Sequence, residues 1–221
     1  PIPGRFNVAL FDNKLANQQL QVGYVSPTSG ATTSIFNAGK SRIRGLEIES
    51  FFQLLRDVTL GVSYSYLDTK LLSQEDHQQE VSQFGGLVAG LTYVPIADTG
   101  DSLPFAADHN VVTSLTYSVP LSPNYGSLDL SATHVYTGDR RAAASSATPF
   151  DVMAPFELLN LNVNWSGLLG TRMDLALFAT NVLDEEYVTY VAGTYSALGF
   201  EARQTGIPRM LGARLKYNFG D

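Results

Sequence analysis

Residues whose side chains could carry out chemistry are few in this sequence, and they lie far apart. The three histidines, His77, His109 and His134, fall in different predicted elements, and Ser145-Ser146 lacks the strand–turn–helix context that activates a serine nucleophile. The chain has no cysteine, which excludes a disulfide framework, a zinc–thiolate site and a thiol nucleophile. We therefore predict no catalytic residue, no metal site and no cofactor, and we predict that the chain is not an enzyme.

Binding chemistry is better represented, by arginines and aromatic residues in the predicted connections. Arg140-Arg141 lie at the end of a predicted strand, and Tyr195, Phe200 and Arg203 share a later connection. A guanidinium group binds carboxylates and phosphates through charge-assisted hydrogen bonds. Nucleic acid is not an expected partner, because the formal net charge of −7 gives no basic footprint. These five residues are the candidate ligand-binding group.

Long strands with two unlike faces are predicted to position these residues. In residues 209–219, a row of apolar side chains alternates at a period of two with a polar row. Seven further segments repeat the pattern, with mainly Leu, Val and Tyr on one face and Asn, Ser, Thr and Gly on the other. They are Arg5–Tyr24, Arg42–Leu55, Val58–Thr69, Val111–Val119, Leu128–Arg140, Leu159–Trp165 and Arg172–Tyr190.

The two faces and the connections favour the wall of a membrane barrel. No apolar run approaches the roughly 20 residues of a membrane-spanning helix, which excludes a helical bundle. Short and long connections alternate between the strands, as in outer-membrane barrels. The amides Asn160, Asn162 and Asn164 need many partners in a packed core but are satisfied in a watery lumen. The predicted fold is all-β, an antiparallel transmembrane β-barrel segment of about eight strands.

Aromatic residues near the predicted strand ends suit the two membrane interfaces, where an amphipathic ring lies between lipid tails and headgroups. The alternative is that Tyr and Phe occur here because they are good strand formers. The aromatic residues concerned are Tyr64, Tyr66, Tyr117, Tyr136, Trp165, Tyr187, Tyr217 and Phe219.

Four segments resemble segments of TonB-dependent outer-membrane receptors, in the order expected for that family. Phe36–Glu49, with the sequence FNAGKSRIRGLEIE, is similar to a segment in which a loop returns into a strand. The stretch NVLDEEY resembles the family's Asn-Leu-x-Asp-x-x-Tyr motif, matched by Asn181, Asp184 and Tyr187. The other two are Pro104-Phe105-Ala106 and the pair Pro208-Arg209 ahead of Gly212.

The resemblance implies that residues 1–221 are the C-terminal part of a receptor β-barrel domain in a Gram-negative outer membrane. Members are large barrels of the plugged, 22-stranded class, with a plug domain and a TonB-contacting box that are not visible in this sequence. The implied activity is import of a scarce substrate, most often a ferric siderophore or similar iron chelate, with energy relayed by TonB. Because the chain begins at Pro1 without a signal segment, we expect a cut or processed product.

The resemblance also implies partners. These are outer-membrane lipid and lipopolysaccharide, the missing N-terminal barrel strands and plug domain, TonB acting through that plug, and the barrel-assembly machinery. The candidate ligand-binding group would lie at the extracellular mouth and contact an anionic iron chelate. The alternative is that its arginines contact lipopolysaccharide phosphates or other loops.

The last strand would carry the assembly signal, by the same resemblance. The family commonly finishes on a terminal aromatic residue, whereas here Gly220-Asp221 follow it. The residues of the implied signal are Gly212, Leu215, Tyr217 and Phe219.

Two other interpretations stay open at this point. A self-contained eight-stranded outer-membrane barrel, with a structural or adhesin role, would close on itself. Gly61, Ser63 and Ser65 are small residues for filling so narrow a lumen. A soluble β-sandwich that binds carbohydrate would need to bury the apolar rows.

Overall fold

The computed structural model describes residues 2–26, 30–37, 39–74, 92–94, 99–142, 149–192, 195 and 199–219. His77 and Ser145-Ser146 lie outside the described residues. The described part of the chain is mostly extended, as its period-two alternation predicts. It contains no helix that is long and apolar enough to span a membrane.

Eight long strands form one antiparallel sheet, which confirms the predicted fold class. With all strands of the described residues numbered along the chain, the long ones are β1 (Gly4–Ala16), β4 (Gly39–Leu55), β5 (Val58–Gln74), β7 (His109–Val119), β8 (Ser127–Thr137), β11 (Phe156–Ser166), β12 (Met173–Thr180) and β15 (Met210–Tyr217). Their order in the sheet is β1-β4-β5-β7-β8-β11-β12-β15. Each long strand therefore pairs with the long strands before and after it in sequence.

The short strands lie in the connections. A three-stranded sheet contains β2 (Gln19–Ser26), β3 (Gly30–Asn37) and β6 (Thr92–Val94). Two small ladders complete the described strands: β9 (Arg140–Arg141) pairs with β10 (Val152–Met153), and β13 (Val188–Val191) pairs with β14 (Arg203–Thr205).

Short and long connections alternate, as predicted. The turn at Arg56-Asp57 joins β4 to β5, and one-turn 3-10 helices at Pro123–Tyr125 and Leu168–Gly170 lie in the other two short connections. Residues 17–38, 75–108, 138–155 and 181–209 form the long connections. Because neighbouring strands run in opposite directions, all short connections lie at one end of the sheet. We call this the short-turn end and the opposite one the long-loop end.

One face of the sheet is apolar across most of its width, and the other is polar. We call them the outer and inner faces. An outer row of register partners crosses six strands, and a row of small or polar residues lies beside it on the inner face. The outer row is Leu60, Leu115, Ala132, Leu161, Ala179 and Leu211, and the inner row includes Gly61, Ser114, Thr133 and Asn160.

Buried residues gather towards the long-loop end and leave the outer face uncovered. The buried hydrophobic residues are Leu71, Leu103, Ala107, Ala142, Met153 and Val191. In contrast, Leu211 and Leu215 of β15 are 78% and 62% exposed. The described residues contain no second large sheet that could cover this face, so the structure does not fit a β-sandwich. A wide exposed apolar face suits contact with lipid.

Two predicted strands are wrong in their extent. Arg5–Tyr24 is interrupted at Asn17, whose φ of 56° ends β1 before β2 begins. Arg172–Tyr190 ends at Thr180, because Asn181 has a φ of 48° and turns the chain into the long connection. Left-handed backbone is tolerated by asparagine but does not continue a strand. The connection between the predicted segments Arg5–Tyr24 and Arg42–Leu55 also contains β3, which pairs with β2.

Most of the predicted interfacial aromatic residues lie at positions of the long strands that face outward. Tyr64 and Tyr66 lie towards the long-loop end, and Tyr117 and Trp165 lie towards the short-turn end. The Trp165 indole donates a hydrogen bond of 2.7 Å to the backbone oxygen of Tyr125. Tyr187 is an exception, because it lies in the long connection after β12 and not on a wall strand.

On the inner face, aromatic rings lie over glycines on the neighbouring strand. Phe11 is the register partner of Gly45, and Phe178 is the register partner of Gly212. A Cβ atom on either glycine would overlap the ring of its partner. The missing side chain therefore makes room for cross-strand ring packing, and this explains two glycines of the family-like segments.

We expect Gly212→Ala to lower the free energy of unfolding of the complete barrel by about 1 to 3 kcal/mol, because the Phe178 ring must move. Denaturant unfolding in detergent micelles measures this. Combining Gly212→Ala with Phe178→Leu should restore part of the loss, whereas Ala213→Val on the outer face is a control with little effect. Equal unfolding curves for Gly212→Ala and the parent barrel would contradict this packing.

The sheet ends on β1 and β15, and these two strands do not pair with each other. Residues 1–221 therefore do not close as an eight-stranded barrel, and each end strand leaves unpaired N–H and C=O groups. Such edges pair with other chains.

We expect residues 1–221 alone to aggregate in detergent-free buffer, as measured by light scattering and size-exclusion chromatography. A monodisperse monomer in water would contradict the open sheet.

Candidate functional site

The connections at the long-loop end pack on one another as a layer, which we call the loop layer (residues 99–108, 138–142, 149–155, 181–192, 195 and 199–209). Its core is formed by Ala142, Met153 and Val191, with Val188 packed against it. Three aromatic pairs join different parts of the layer or join it to the wall. They are Phe105–Tyr190, Phe150–Tyr195 and Phe156–Tyr187, with ring centroids 5.5, 4.3 and 4.5 Å apart.

Arg140 is part of the packing of this layer. Its guanidinium carbon lies 5.2 Å from the centroid of the Phe156 ring, and its Nη2 donates a 3.2 Å hydrogen bond to the backbone oxygen of Val188. Partial burial lowers the pKa of the Arg140 guanidinium from its ordinary value. The Arg140 guanidinium therefore joins the start of the connection 138–155 to strand β13, which lies in the connection 181–209.

Arg203 and Tyr195 also make contacts within the layer. The Arg203 Nη2 donates a 2.8 Å hydrogen bond to the backbone oxygen of Phe150. Tyr195 packs on the Phe150 ring, and its backbone N–H donates to the Glu201 carboxylate at 3.1 Å. These contacts join Phe150 to Tyr195 and to Arg203, so both side chains help to shape the layer.

Arg141 and Phe200 are the more open members of the candidate ligand-binding group. The Arg141 backbone pairs with Val152 and accepts a 2.7 Å hydrogen bond from the Phe105 N–H, while its side chain is exposed. Phe200 is 59% exposed. The five predicted residues thus lie in one layer but differ in their contacts and exposure.

Asn181 joins the end of β12 to the start of β15. Its side chain is 3% exposed, and Nδ2 donates to the backbone oxygens of Glu185 and Ile207 at 2.9 and 3.2 Å. Its Oδ1 accepts from the Glu185 N–H at 2.9 Å, and its own N–H donates to the Asn160 side chain at 2.9 Å. This network holds the turn of the NVLDEEY stretch against the residues that lead into the last strand.

The other two motif residues act at the same junction. Asp184, with a φ of 58°, accepts from the Arg209 N–H at 3.0 Å and pairs with the Arg209 guanidinium at 3.4 Å. Both side chains are about half exposed, so this ion pair stabilises the fold only weakly. The Tyr187 ring lies where a Cβ on Gly206 would be, which makes a glycine necessary at that position.

The predicted assembly residues occupy the last strand and its extension. Leu215 and Tyr217 point to the outer face beside Leu175 and Met173, and Phe219 is 90% exposed. The Tyr217 and Phe219 rings are 4.7 Å apart in an edge-to-face arrangement. Gly212 lies on the inner face under Phe178.

The histidines on the wall strands do not form a catalytic set. The His109 ring accepts or donates a 2.9 Å hydrogen bond with the Tyr64 hydroxyl, and His134 lies 3.2 Å from the Glu157 carboxylate. All four side chains lie at outward-facing positions of their strands. Within the described residues, no group of three or more His, Cys, Asp or Glu side chains is arranged to hold a metal ion.

Sequence reasoning missed the partners that explain the motif residues. The side chain of Asn160, which alternation places on the polar face, also accepts a hydrogen bond from the Asn181 N–H. Gly206 and Ile207 complete the junction. The sequence signals at this junction were the NVLDEEY stretch and the pair Pro208-Arg209 directly ahead of the last strand.

The protein-family comparison matches residues 3–182 to the model described as "TonB dependent receptor-like, beta-barrel". The chain belongs to this family. A comparison with curated proteins gives no match.

Solved receptor structures share the fold. The ferric yersiniabactin uptake receptor FyuA of Yersinia pestis has a TM-score of 0.70 at 15% identity over 98% of this chain and 28% of its own. The copper transporter OprC has a TM-score of 0.65 at 16% identity, and the match covers 98% of this chain and 29% of OprC. The ferric-catecholate import receptor Fiu of E. coli K12 has a TM-score of 0.61 at 17% identity, and the match covers 96% of this chain and 24% of Fiu. This chain of the TonB-dependent receptor family thus spans less than a third of the length of those receptors.

In this TonB-dependent receptor, we expect Asn181→Ala to reduce the free energy of unfolding of the complete barrel by about 2 to 3 kcal/mol. Removing the amide takes away the partners of three backbone groups of Glu185 and Ile207 in a partly buried junction, and alanine tolerates a positive φ poorly. Thermal unfolding followed by heat-modifiable gel mobility measures the loss.

Asn181→Gly separates these two causes, because glycine accepts the backbone conformation but supplies no amide. It should be less stable than the parent and more stable than Asn181→Ala. A stability of Asn181→Gly equal to the parent would show that the side-chain hydrogen bonds contribute nothing.

Proposed function

We propose that this chain is the C-terminal wall and loop layer of an outer-membrane receptor that imports a scarce iron chelate of the ferric siderophore class. The receptor's remaining strands and its plug domain would be supplied by other parts of the same protein. TonB would provide energy by acting on that plug. The chain itself would contribute structure and binding surface, and no catalytic step.

The observation that carries this proposal is the family match over residues 3–182, combined with an open sheet whose outer face is apolar. An open sheet needs further strands, and a barrel places one face against lipid and the other around a lumen. Two of the similar structures, FyuA and Fiu, carry names that refer to ferric chelates. They support an iron chelate as the first substrate class to test.

The loop layer supplies the chemistry for substrate capture. Arg140 and Arg203 are bonded to backbone oxygens of the layer and would hold its shape, while the exposed Arg141 would meet the anionic chelate. Exposed aromatic rings of Phe105, Phe150 and Phe200 offer flat apolar surface beside this charge. Ferric complexes of catecholates combine negative charge with aromatic rings, so both kinds of side chain would have a role.

The last strand would guide assembly. Its exposed Leu215, Tyr217 and Phe219 form a continuous apolar and aromatic edge on the outer face. Because β15 lacks one neighbour, its backbone is free to pair with a first strand when the barrel closes, and the barrel-assembly machinery would act at this strand. The outer face would contact membrane lipid and lipopolysaccharide.

In the intact receptor, we expect Arg141→Gln to weaken binding of a ferric siderophore by about ten-fold, the value of one charge-assisted hydrogen bond. Binding and uptake of radioactive iron complexes of the catecholate, hydroxamate and phenolate classes, by iron-starved cells, would be measured. Arg56→Gln, at the short-turn end, removes the same charge far from the mouth and should have no effect.

Deleting TonB should abolish uptake while leaving surface binding intact. Uptake that persists without TonB would contradict the proposed transport function. Unchanged affinity in Arg141→Gln for the chelate that the receptor binds would contradict the assignment of this residue alone.

A further inference from the structure

The last strand, β15, is held by fewer constraints than the strands that short connections join. A short turn brings β5 to β4, β8 to β7 and β12 to β11, and the turn helps to set the register of each pair. Strand β15 instead follows the long connection 181–209 and pairs with β12 alone. Closing a long connection costs more conformational entropy than closing a turn. The pairing of β15 therefore needs contacts of its own with β12.

The outer face gives this pairing little direction. The facing side chains of β12 and β15 on that side are all apolar, so a slip by two residues would again place apolar side chains opposite one another. Lipid tails are equally apolar, so such contacts add little when they form inside a membrane. The side chains concerned are Met173, Leu175, Leu177 and Ala179 on β12 and Leu211, Ala213, Leu215 and Tyr217 on β15. Directional contacts must therefore come from the inner face and from the strand ends.

Asp174 supplies such contacts at the short-turn end of the inner face. Its Oδ1 accepts a 2.9 Å hydrogen bond from the Gly167 N–H, in the turn before β12. Its Oδ2 accepts a 3.0 Å hydrogen bond from the side-chain amide of Asn218, the first residue after β15. Lys216, the register partner of Asp174 on β15, lies 3.9 Å from the same oxygen. We call Asp174, Gly167, Asn218 and Lys216 the Asp174 clamp.

The two hydrogen bonds of the clamp differ in when they can form. Gly167 is seven residues from Asp174 and lies in the β11–β12 turn, so their hydrogen bond needs no other segment. Asn218 is 44 residues from Asp174 and follows the long connection. Contacts that close small loops form before contacts between distant segments. The Asp174 carboxylate is thus oriented by its own turn before β15 arrives.

The groups that β15 brings to this carboxylate suit an anion. Asp174 is the one charged residue of β12, and the inner face of β15 carries Arg214 and Lys216. Hydrogen bonds to a carboxylate are about twice as strong as those between neutral groups, whereas the exposed contact with Lys216 adds little. The Asn218 backbone N–H also donates a 2.9 Å hydrogen bond to the backbone oxygen of Arg172. Asn218 is therefore held to β12 twice, and the Asp174 carboxylate makes the stronger of the two bonds.

We propose that Asp174 is the docking point of the last strand. The β11–β12 turn presents its carboxylate, the Asn218 amide binds to it, and the backbone of β15 then pairs along β12. This pairing positions the free edge of β15 for the strand that closes the barrel. Asp174 acts through Asn218 and is a positioning residue for closure. The inference rests on the proposed closure with further strands, but it is independent of the imported substrate and of TonB.

The test follows strand pairing while the intact receptor, diluted from urea, inserts into phospholipid vesicles. Outer-face cysteine pairs are oxidised at successive times: Leu177→Cys with Ala213→Cys for β12–β15, and Val163→Cys with Leu177→Cys for β11–β12. Register partners lie within reach of a disulfide, whereas partners displaced by two residues do not. In Asn218→Ala, the β12–β15 disulfide should form about ten-fold more slowly, the value of one charge-assisted hydrogen bond. The β11–β12 disulfide should form at the parental rate, because the Gly167 hydrogen bond remains.

Further variants separate docking from a general loss of stability. Asp174→Ala should slow the same β12–β15 step, and the exchange of Asp174→Asn with Asn218→Asp should restore it, because donor and acceptor are reversed. Asp129→Ala is the matched control, since Asp129 is an inner-face carboxylate bonded to Ser118 at 2.6 Å between strands that a short connection joins. It should leave the β12–β15 rate unchanged.

Equal β12–β15 rates in the parent, Asn218→Ala and Asp174→Ala would overturn the docking point. An exchanged variant as slow as the single variants would overturn it too. Uptake of iron complexes by the parent receptor reports on the transport function separately, because none of these rates depends on the substrate.

Discussion

Inside a bilayer no water is available to the peptide backbone, so every N–H and C=O group of a strand must find a partner on a neighbouring strand. The six strands between the two ends of this sheet have a paired neighbour on both sides, and β4 is paired with β1 and β5 along most of its length. The end strands β1 and β15 meet it on one side only. The need for continuous pairing thus explains both the regular antiparallel order and the dependence of this chain on further strands.

Continuous pairing also determines where side-chain packing is possible. Because side chains alternate between faces, a wall with lipid on one side has no apolar interior of its own. The buried core of this chain accordingly lies at the long-loop end, around Met153 and Val191. There the connections must be held by specific contacts, and Asn181 and Arg140 supply them with hydrogen bonds to backbone oxygens. The loop layer is thereby a shaped surface carried on a wall whose own stability comes from its ladders and from lipid.

The wall was predictable from the sequence because alternation is a local property. The strands, the two faces and the alternation of short and long connections followed from the period of two and from turn residues such as Arg56-Asp57. Strand ends were less predictable, since Asn17 and Asn181 stop their strands through a positive φ that no polarity pattern records. The role of each arginine in the loop layer depends on contacts between segments far apart in sequence. For Arg140 the partner is Val188, 48 residues away, and for Arg203 it is Phe150.

We infer that the outer face of this sheet contacts lipid and that the inner face lines a watery lumen. Because the chain has no cysteine, single cysteines can be placed at positions 160–164 of β11 in the intact receptor and spin-labelled there. In reconstituted bilayers, labels at Leu161 and Val163 should be accessible to dissolved oxygen, which concentrates in lipid. Labels at Asn160, Asn162 and Asn164 should be accessible to a water-soluble nickel chelate. Equal accessibility of all five positions to the nickel chelate would contradict the claim that this sheet is a membrane wall.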